Sequence, residues 1–305
     1  MKKGRLNGVI PPLLTPLDSN GKLDVPGLER LINHCIYGGV DGIFVLGSCG
    51  EGSVVDTETQ RLVVQEALRI VDARVPVLVG LLETSADRVI EQMRTLPAEG
   101  VDGYVVTVPY YLQVWGPDQI FEHYRQIAQA TDTDIILYNI PSFTSGYEIN
   151  MDMVERLLTI PNVVAVKDST DSWLLLQRKI FRRRDLDFSL FCGNEDMIAA
   201  SGVFGVDGCV PCMANAYPEF LVELFSAAKA GKLEKALACE EVLQELKTVF
   251  SAAGSWIAAC KYLCARKGLM QEYTAISGAA LTEEQKQKME DILAAVDPKI
   301  QAMLT

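Results

Sequence analysis

Two runs, Asp134-Ile135-Ile136-Leu137-Tyr138 and Val163-Val164-Ala165-Val166, decide the fold of this chain. Each is apolar and rich in β-branched residues without strict alternation, the pattern of a strand buried on both faces of a parallel sheet. Six more runs of the same kind flank them: Asn7-Gly8-Val9-Ile10, Gly42-Ile43-Phe44-Val45-Leu46, Val75-Pro76-Val77-Leu78-Val79, Gly103-Tyr104-Val105-Val106-Thr107-Val108, Asp187-Phe188-Ser189-Leu190-Phe191 and Asp207-Gly208-Cys209-Val210. Stretches of helical period separate them, with apolar stripes at Leu28, Leu31, Ile32 and Cys35, at Val89, Ile90, Met93 and Leu96, at Ile120, Tyr124 and Ile127, and at Phe220, Leu221, Leu224 and Phe225. Ser85 and Asp152 are expected to cap helices, Pro117 suits a first turn, and Gly38-Gly39 and Gly100 suit helix ends. Repeated βα units with eight strands predict a closed (β/α)8 TIM barrel, an open doubly wound sheet being the alternative.

The barrel is expected to occupy 1–231 and a C-terminal helical extension 232–305, with helices over about Leu233 to Phe250, Ser255 to Lys267 and Thr282 to Val296. The last opens with the capping pattern Thr282-Glu283-Glu284-Gln285. With no low-complexity linker before it, the extension is expected to pack on the barrel.

The chain has 305 residues, and 28 Lys+Arg against 40 Asp+Glu give a net charge of −12. That balance argues against nucleic acid, whose binders carry basic patches that shed counterions. No apolar stretch approaches the roughly 18–20 residues needed to cross a bilayer, and the basic N-terminus at 1–7 lacks the apolar run of a signal peptide. Eight scattered cysteines are too sparse for a disulfide scaffold, so reduced thiols and a cytoplasmic location are expected. Cys209-Val210-Pro211-Cys212 has neither a second CxxC nor a nearby histidine and reads as small buried residues at a strand end, not a zinc site. The only histidines, His34 and His123, fall in helix-like segments, which disfavours a His-based triad or metal centre.

In a barrel the chemistry sits where strands end. There the chain carries Gly47-Ser48-Cys49-Gly50-Glu51-Gly52, Pro109-Tyr110-Tyr111, Tyr138-Asn139-Ile140-Pro141 and Lys167-Asp168-Ser169. The glycine run suits a tight turn that offers N–H groups to an anion, though its order is neither a dinucleotide fingerprint nor a Walker loop. Lys167 follows four apolar residues, which puts its amine at the inner mouth of the barrel. Desolvation disfavours an ammonium, and a free amine can form a Schiff base with a 2-oxo acid. The competing reading pairs Lys167 with a neighbouring carboxylate such as Asp168. The tyrosines are candidate proton carriers or packing aromatics.

At these four motifs the chain resembles the dihydrodipicolinate synthase/N-acetylneuraminate lyase family, the pyruvate-dependent class I aldolases, and the likeness covers nearly its whole length. The resemblance implies a (β/α)8 barrel with a helical extension, no metal or organic cofactor, pyruvate or another 2-oxo acid as substrate, and a homotetramer built from tight dimers. It implies that Lys167 forms the Schiff base and that Tyr138 shuttles protons. Ser48 would bind the pyruvate carboxylate and relay a proton, the amides of Ser48 and Cys49 sharing that carboxylate. Tyr111 would reach into a neighbouring subunit's site, and the Val210 carbonyl would face pyruvate. Two departures bear on the acceptor. Phe143 stands where dihydrodipicolinate synthases carry an arginine, and a ring cannot replace a bidentate guanidinium. Ser169 and Glu195-Asp196 fit the polyol-binding positions of sialic acid lyases, with Cys212 at a serine position, although an acidic pair at a helix start is also an ordinary dipole partner. A lyase acting on pyruvate or a hydroxy-2-oxo acid is expected. Dihydrodipicolinate synthase itself, a sugar-acid dehydratase using the same imine, and a non-catalytic 2-oxo-acid sensor stand as alternatives.

Overall fold

A computed structural model describes residues 6–112 and 116–304; residues 1–5, which carry most of the basic N-terminal run, lie outside the described residues. The elements follow one another as β1 (Gly8–Val9), α1 (Val25–Tyr37), β2 (Ile43–Val45), α2 (Thr57–Val71), β3 (Val77–Leu81), α3 (Ala86–Thr95), β4 (Gly103–Thr107) and α4 (Pro117–Gln129). Then come β5 (Asp134–Asn139), α5 (Met151–Leu157), β6 (Val163–Asp168), α6 (Trp173–Arg182), β7 (Ser189–Cys192), α7 (Ile198–Phe204), β8 (Gly208–Cys209) and α8 (Pro218–Lys229). Three more helices end the chain: α9 (Leu233–Ala253), α10 (Trp256–Arg266) and α11 (Glu283–Met303). All sheet pairings are parallel, in the order β1-β8-β7-β6-β5-β4-β3-β2. The ring closes where the Phe44 amide donates to Pro11 O at 3.1 Å and the Leu13 amide to Phe44 O at 2.7 Å. Each strand pairs with its sequence neighbours around a closed ring, which is the (β/α)8 barrel and not the doubly wound sheet.

Local signals account for most element ends. The Ser85 side chain accepts from the Arg88 amide at the start of α3, Pro117 opens α4, and Gly38 follows α1. Thr282 and Gln285 form a reciprocal capping box on α11. Four expectations shift. Asn150, not Asp152, caps α5, and Asp152 sits in the first turn where its charge faces the helix dipole. Helix α3 stops at Thr95, so Gly100 belongs to the following turn, with φ +90°. Strand β3 begins after Pro76, which has no N–H for the ladder, and takes in Gly80 and Leu81. Helix α11 continues past Val296 because Met289, Leu293, Val296 and Ile300 keep one buried stripe going.

Two apolar layers result. Inside the ring, Ile10, Phe44, Leu78, Val105, Ile136, Ala165 and Phe191 fill the barrel. Outside it, Val45, Val79, Val106, Leu137, Val166 and Leu190 face the helices. The alternation is the period-2 rule of strands, and it decides which residues near each strand end look into the barrel mouth.

The loop after β2 is built by close approach. Its left-handed residues are Leu46 (φ 56°) and Glu51 (φ 54°), not its glycines. A Cβ on Gly52 would lie 2.0 Å from the Leu46 carbonyl oxygen and one on Gly80 2.3 Å from the same atom, so both must lack a side chain. The loop is held from the far end of the chain. The fully buried Glu51 pairs with the fully buried Lys261 of α10 and accepts from the Ala275 amide at 2.7 Å, while Lys261 donates to Tyr273 O at 2.6 Å. Lys261→Met strands the Glu51 carboxylate and is expected to cost about 3–5 kcal/mol in urea unfolding; a loss within error of zero would show that the pair does not hold the loop.

Candidate active site

The strand ends converge on a cavity of about 380 Å³ at the C-terminal mouth of the barrel. Ser48, Cys49, Tyr138, Phe143, Lys167, Ser169, Glu195 and Val210 all line it. Of the residues to which the sequence gives a catalytic or substrate-binding role, Tyr111 stands apart: it is 84 % exposed, left-handed at φ 79°, and does not line this cavity of its own chain. Tyr110, beside it, donates its hydroxyl to Leu82 O at 2.8 Å. Both histidines are helical, as expected, with Nε2 of each 3.2 Å from a backbone carbonyl, His34 at Ala216 O and His123 at Thr107 O.

Lys167 is 5 % exposed, and its Nζ lies 3.7 Å from the Tyr138 ring centroid and 5.3 Å from that of Phe44. It pairs with no carboxylate among the described residues. The reading that joins it to Asp168 fails because adjacent strand residues point to opposite faces. Lys167 points into the barrel, whereas Asp168 points out toward α6. There Lys179 Nζ donates to Asp168 Oδ2 at 2.7 Å and also to Glu148, and Asn139 Nδ2 donates to Asp168 Oδ1 at 2.9 Å and to Glu148 at 3.0 Å. The Thr170 amide adds another bond to Asp168 at 2.9 Å. Asp168 is thereby satisfied on the far side of the strand.

Tyr138 Oη lies 3.4 Å from Ser48 Oγ, so a hydroxyl pair stands next to the amine. The Ser48 and Cys49 amides have no acceptor among the described residues and remain available to an anion. Room for the lysine comes partly from Gly193, absent from the sequence-based set: a Cβ there would meet Ser169 Oγ at 2.2 Å and Lys167 Cε at 3.3 Å. The outer wall holds further residues that the strand pattern does not reveal. Lys247 and Phe250 of α9 and Trp256 of α10 line the cavity, and Lys247 pairs with Asp196. Helical periodicity shows that these residues lie on a helix but not that the helix folds over the barrel mouth.

Glu195 does not act as a dipole partner at a helix start. Its carboxylate is buried, accepts from the Met213 amide at 2.8 Å and faces the cavity, while Asn194 caps the following turn. Burial first, and then the neighbouring Cys212, push its pKa from 4.5 up to about 8.

The family profile described as the dihydrodipicolinate synthetase family matches residues 5–296. YjhH of Escherichia coli, named as a probable 2-dehydro-3-deoxy-D-pentonate aldolase, is 33% identical over 97% of this chain and 98% of its own. The 4-hydroxy-tetrahydrodipicolinate synthase of Phenylobacterium zucineum is 32% identical over 95% of this chain and 96% of its own. The crystal structure of Escherichia coli YagE in complex with pyruvate superposes with a TM-score of 0.90 at 29% identity, over 96% of this chain and 99% of that one. The chain belongs to the dihydrodipicolinate synthetase family. It is an enzyme, a lyase of that family's pyruvate-dependent class I aldolase type.

The raised Glu195 pKa has a consequence for stability. The folded protein holds a proton on Glu195 that the unfolded chain releases, so this residue's contribution falls as pH rises from 4.5 to about 8. Glu195→Gln removes that loss, and its melting temperature relative to the parent is expected to climb across the same window. A difference that stays flat with pH would place the Glu195 pKa at its ordinary value.

Proposed function

We propose that the chain is a hydroxy-2-oxo-acid aldolase that works through an imine between Lys167 and the 2-oxo carbon of its substrate. The observation that carries this reading is the Lys167 amine in the cavity, paired with no carboxylate among the described residues and beside the Tyr138 and Ser48 hydroxyls, with the adjacent Asp168 engaged by Lys179. The Lys167 amine attacks the ketone, water leaves, and the protonated imine becomes an electron sink. In the cleavage direction Tyr138 takes the proton from the C4 hydroxyl, the C3–C4 bond breaks, and its electrons pass to the imine nitrogen as an aldehyde departs. Protonation of the resulting enamine and hydrolysis release pyruvate and restore the amine. The Ser48 and Cys49 amides hold the substrate carboxylate, the Val210 carbonyl faces the three-carbon unit, and Ser48 links Tyr138 to the substrate.

The acceptor end favours a sugar acid. Phe143 lines the cavity where a dihydrodipicolinate synthase would place an arginine, which removes the bidentate partner that a second carboxylate at this position needs. Ser169, Glu195, Asp196 and Lys247 supply instead a polar wall suited to hydroxyl groups, and YjhH carries a name of the same substrate class. The chain is cytoplasmic in this reading and works as a homotetramer, in which the exposed Tyr111 completes the relay of a neighbouring subunit. No metal or organic cofactor takes part.

Borohydride added with pyruvate is expected to inactivate the enzyme and leave a reduced adduct on the Lys167 peptide; an unmodified Lys167 at saturating pyruvate would defeat the reading. Tyr138→Phe should slow turnover by about 10²–10⁴-fold, the range of positioned acid–base groups, with full activity arguing against the relay. Sedimentation reporting a monomer at assay concentration would remove the role given to Tyr111.

A further inference from the structure

We propose that Cys212 and Cys260 form an oxidant-responsive thiol pair in the cavity wall, which hydrogen peroxide entering the cavity converts to a disulfide. The two sulfurs lie 3.2 Å apart, and both residues are buried. They differ in access. Cys212, on the short turn after β8, lines the cavity, whereas Cys260, on α10, does not. The catalytic sequence above uses neither sulfur.

The surroundings single out Cys212 among the eight cysteines. Hydrogen bonds from Cys260 and Cys49 favour its thiolate, burial opposes it, and the positive charges of Lys247 and Lys167 favour it, so its pKa falls below the ordinary thiol value. Elsewhere burial drives thiols the other way, with Cys192 pushed up to about 12. The reactive form of a cysteine is the thiolate, and access decides which thiolate reacts. Cys212 has both attributes, and the pocket is its entry path.

The chemistry balances without a cofactor. The Cys212 thiolate attacks one oxygen of hydrogen peroxide, the O–O bond breaks, and Cys212 becomes a sulfenic acid as hydroxide leaves and takes up a proton. The Cys260 sulfur then attacks the Cys212 sulfur, its thiol proton joins the departing hydroxyl, and the second water leaves behind a disulfide. Two thiols are oxidised and one peroxide is reduced to two waters. Closing the bond draws the sulfurs from 3.2 Å to about 2.05 Å, which fastens the cavity-lining turn after β8 to α10. Lys167, Tyr138 and Ser48 are not part of the bond. The expected loss is therefore in turnover of the full substrate, while pyruvate can still be trapped on Lys167.

The test exposes the intact protein to hydrogen peroxide, blocks remaining thiols with an alkylating agent, and maps unreduced peptides by mass spectrometry. The expected product is a joined peptide pair carrying Cys212 and Cys260, lighter by two hydrogens than the free pair and separated again by dithiothreitol. Cys260→Ser should abolish the joined pair and leave Cys212 to proceed to sulfinic acid, which dithiothreitol does not reverse. Alkylation of both cysteines after an oxidant dose that modifies other cysteines would overturn the proposal, as would Cys212 joined to Cys49 instead. The peptide map on the parent protein decides even where the serine variant fails to fold. It reads sulfur chemistry alone, so the borohydride experiment can fail without changing what the map shows.

Discussion

A buried carboxylate next to the lysine that the proposed imine chemistry needs free is a hazard, because an ion pair would occupy the amine. The structure meets it by alternation along β6 (Val163–Asp168): Lys167 enters the barrel while Asp168 leaves it, to be bound by Lys179, Asn139 and the Thr170 amide. Glu148 joins the same cluster through Lys179 and Asn139, and the Asn139 side chain also accepts from the Ile149 amide at 2.9 Å. The cluster fastens the ends of β5 (Asp134–Asn139) and β6 to α6 (Trp173–Arg182) and to the segment before α5 (Met151–Leu157). It thereby places Tyr138 and Lys167 next to each other on the inner face, paired in register across the two strands. Polar satisfaction on the outside of the barrel and an unpaired amine on the inside are two results of one strand period.

The C-terminal helices do more than cover the barrel. Lys261 of α10 (Trp256–Arg266) reaches Glu51 in the loop that offers the Ser48 and Cys49 amides, so that loop is positioned from the opposite end of the sequence. Lys247, Phe250 and Trp256 close one wall of the cavity, and Cys260 backs Cys212. In the proposed reading the strand ends supply the bond-making groups, and the helices after residue 231 shape what the barrel mouth admits. This division would let the imine chemistry proposed here serve different acceptors on one fold.

Most of this was legible in the sequence, and for identifiable reasons. All eight strands show as apolar runs because strands buried on both faces tolerate little else. Lys167 shows because a lysine directly after such a run has few places to go except the barrel mouth, whereas the roles of Tyr138 and Ser48 are what the family resemblance implies. That Asp168 does not pair with Lys167 was also within reach, because the period-2 rule forbids the two from sharing a face; that Lys179 of α6 is its partner was not. What stayed hidden depends on tertiary placement. Nothing local in α9 (Leu233–Ala253) marks Lys247 as a cavity residue, and the need for Gly193 appears only when Ser169 and Lys167 approach it. The run read for the third strand stops at Val79, one residue before Gly80, whose role, clearing the Leu46 carbonyl, depends on the loop after the neighbouring strand β2.

The most direct test is a crystal structure of the protein soaked with pyruvate. The account predicts continuous density from Lys167 Nζ to the 2-oxo carbon, the carboxylate against the Ser48 and Cys49 amides, and Asp168 still held by Lys179. Pyruvate bound elsewhere, or Lys167 turned away from the ketone toward a carboxylate of its own chain, would contradict it.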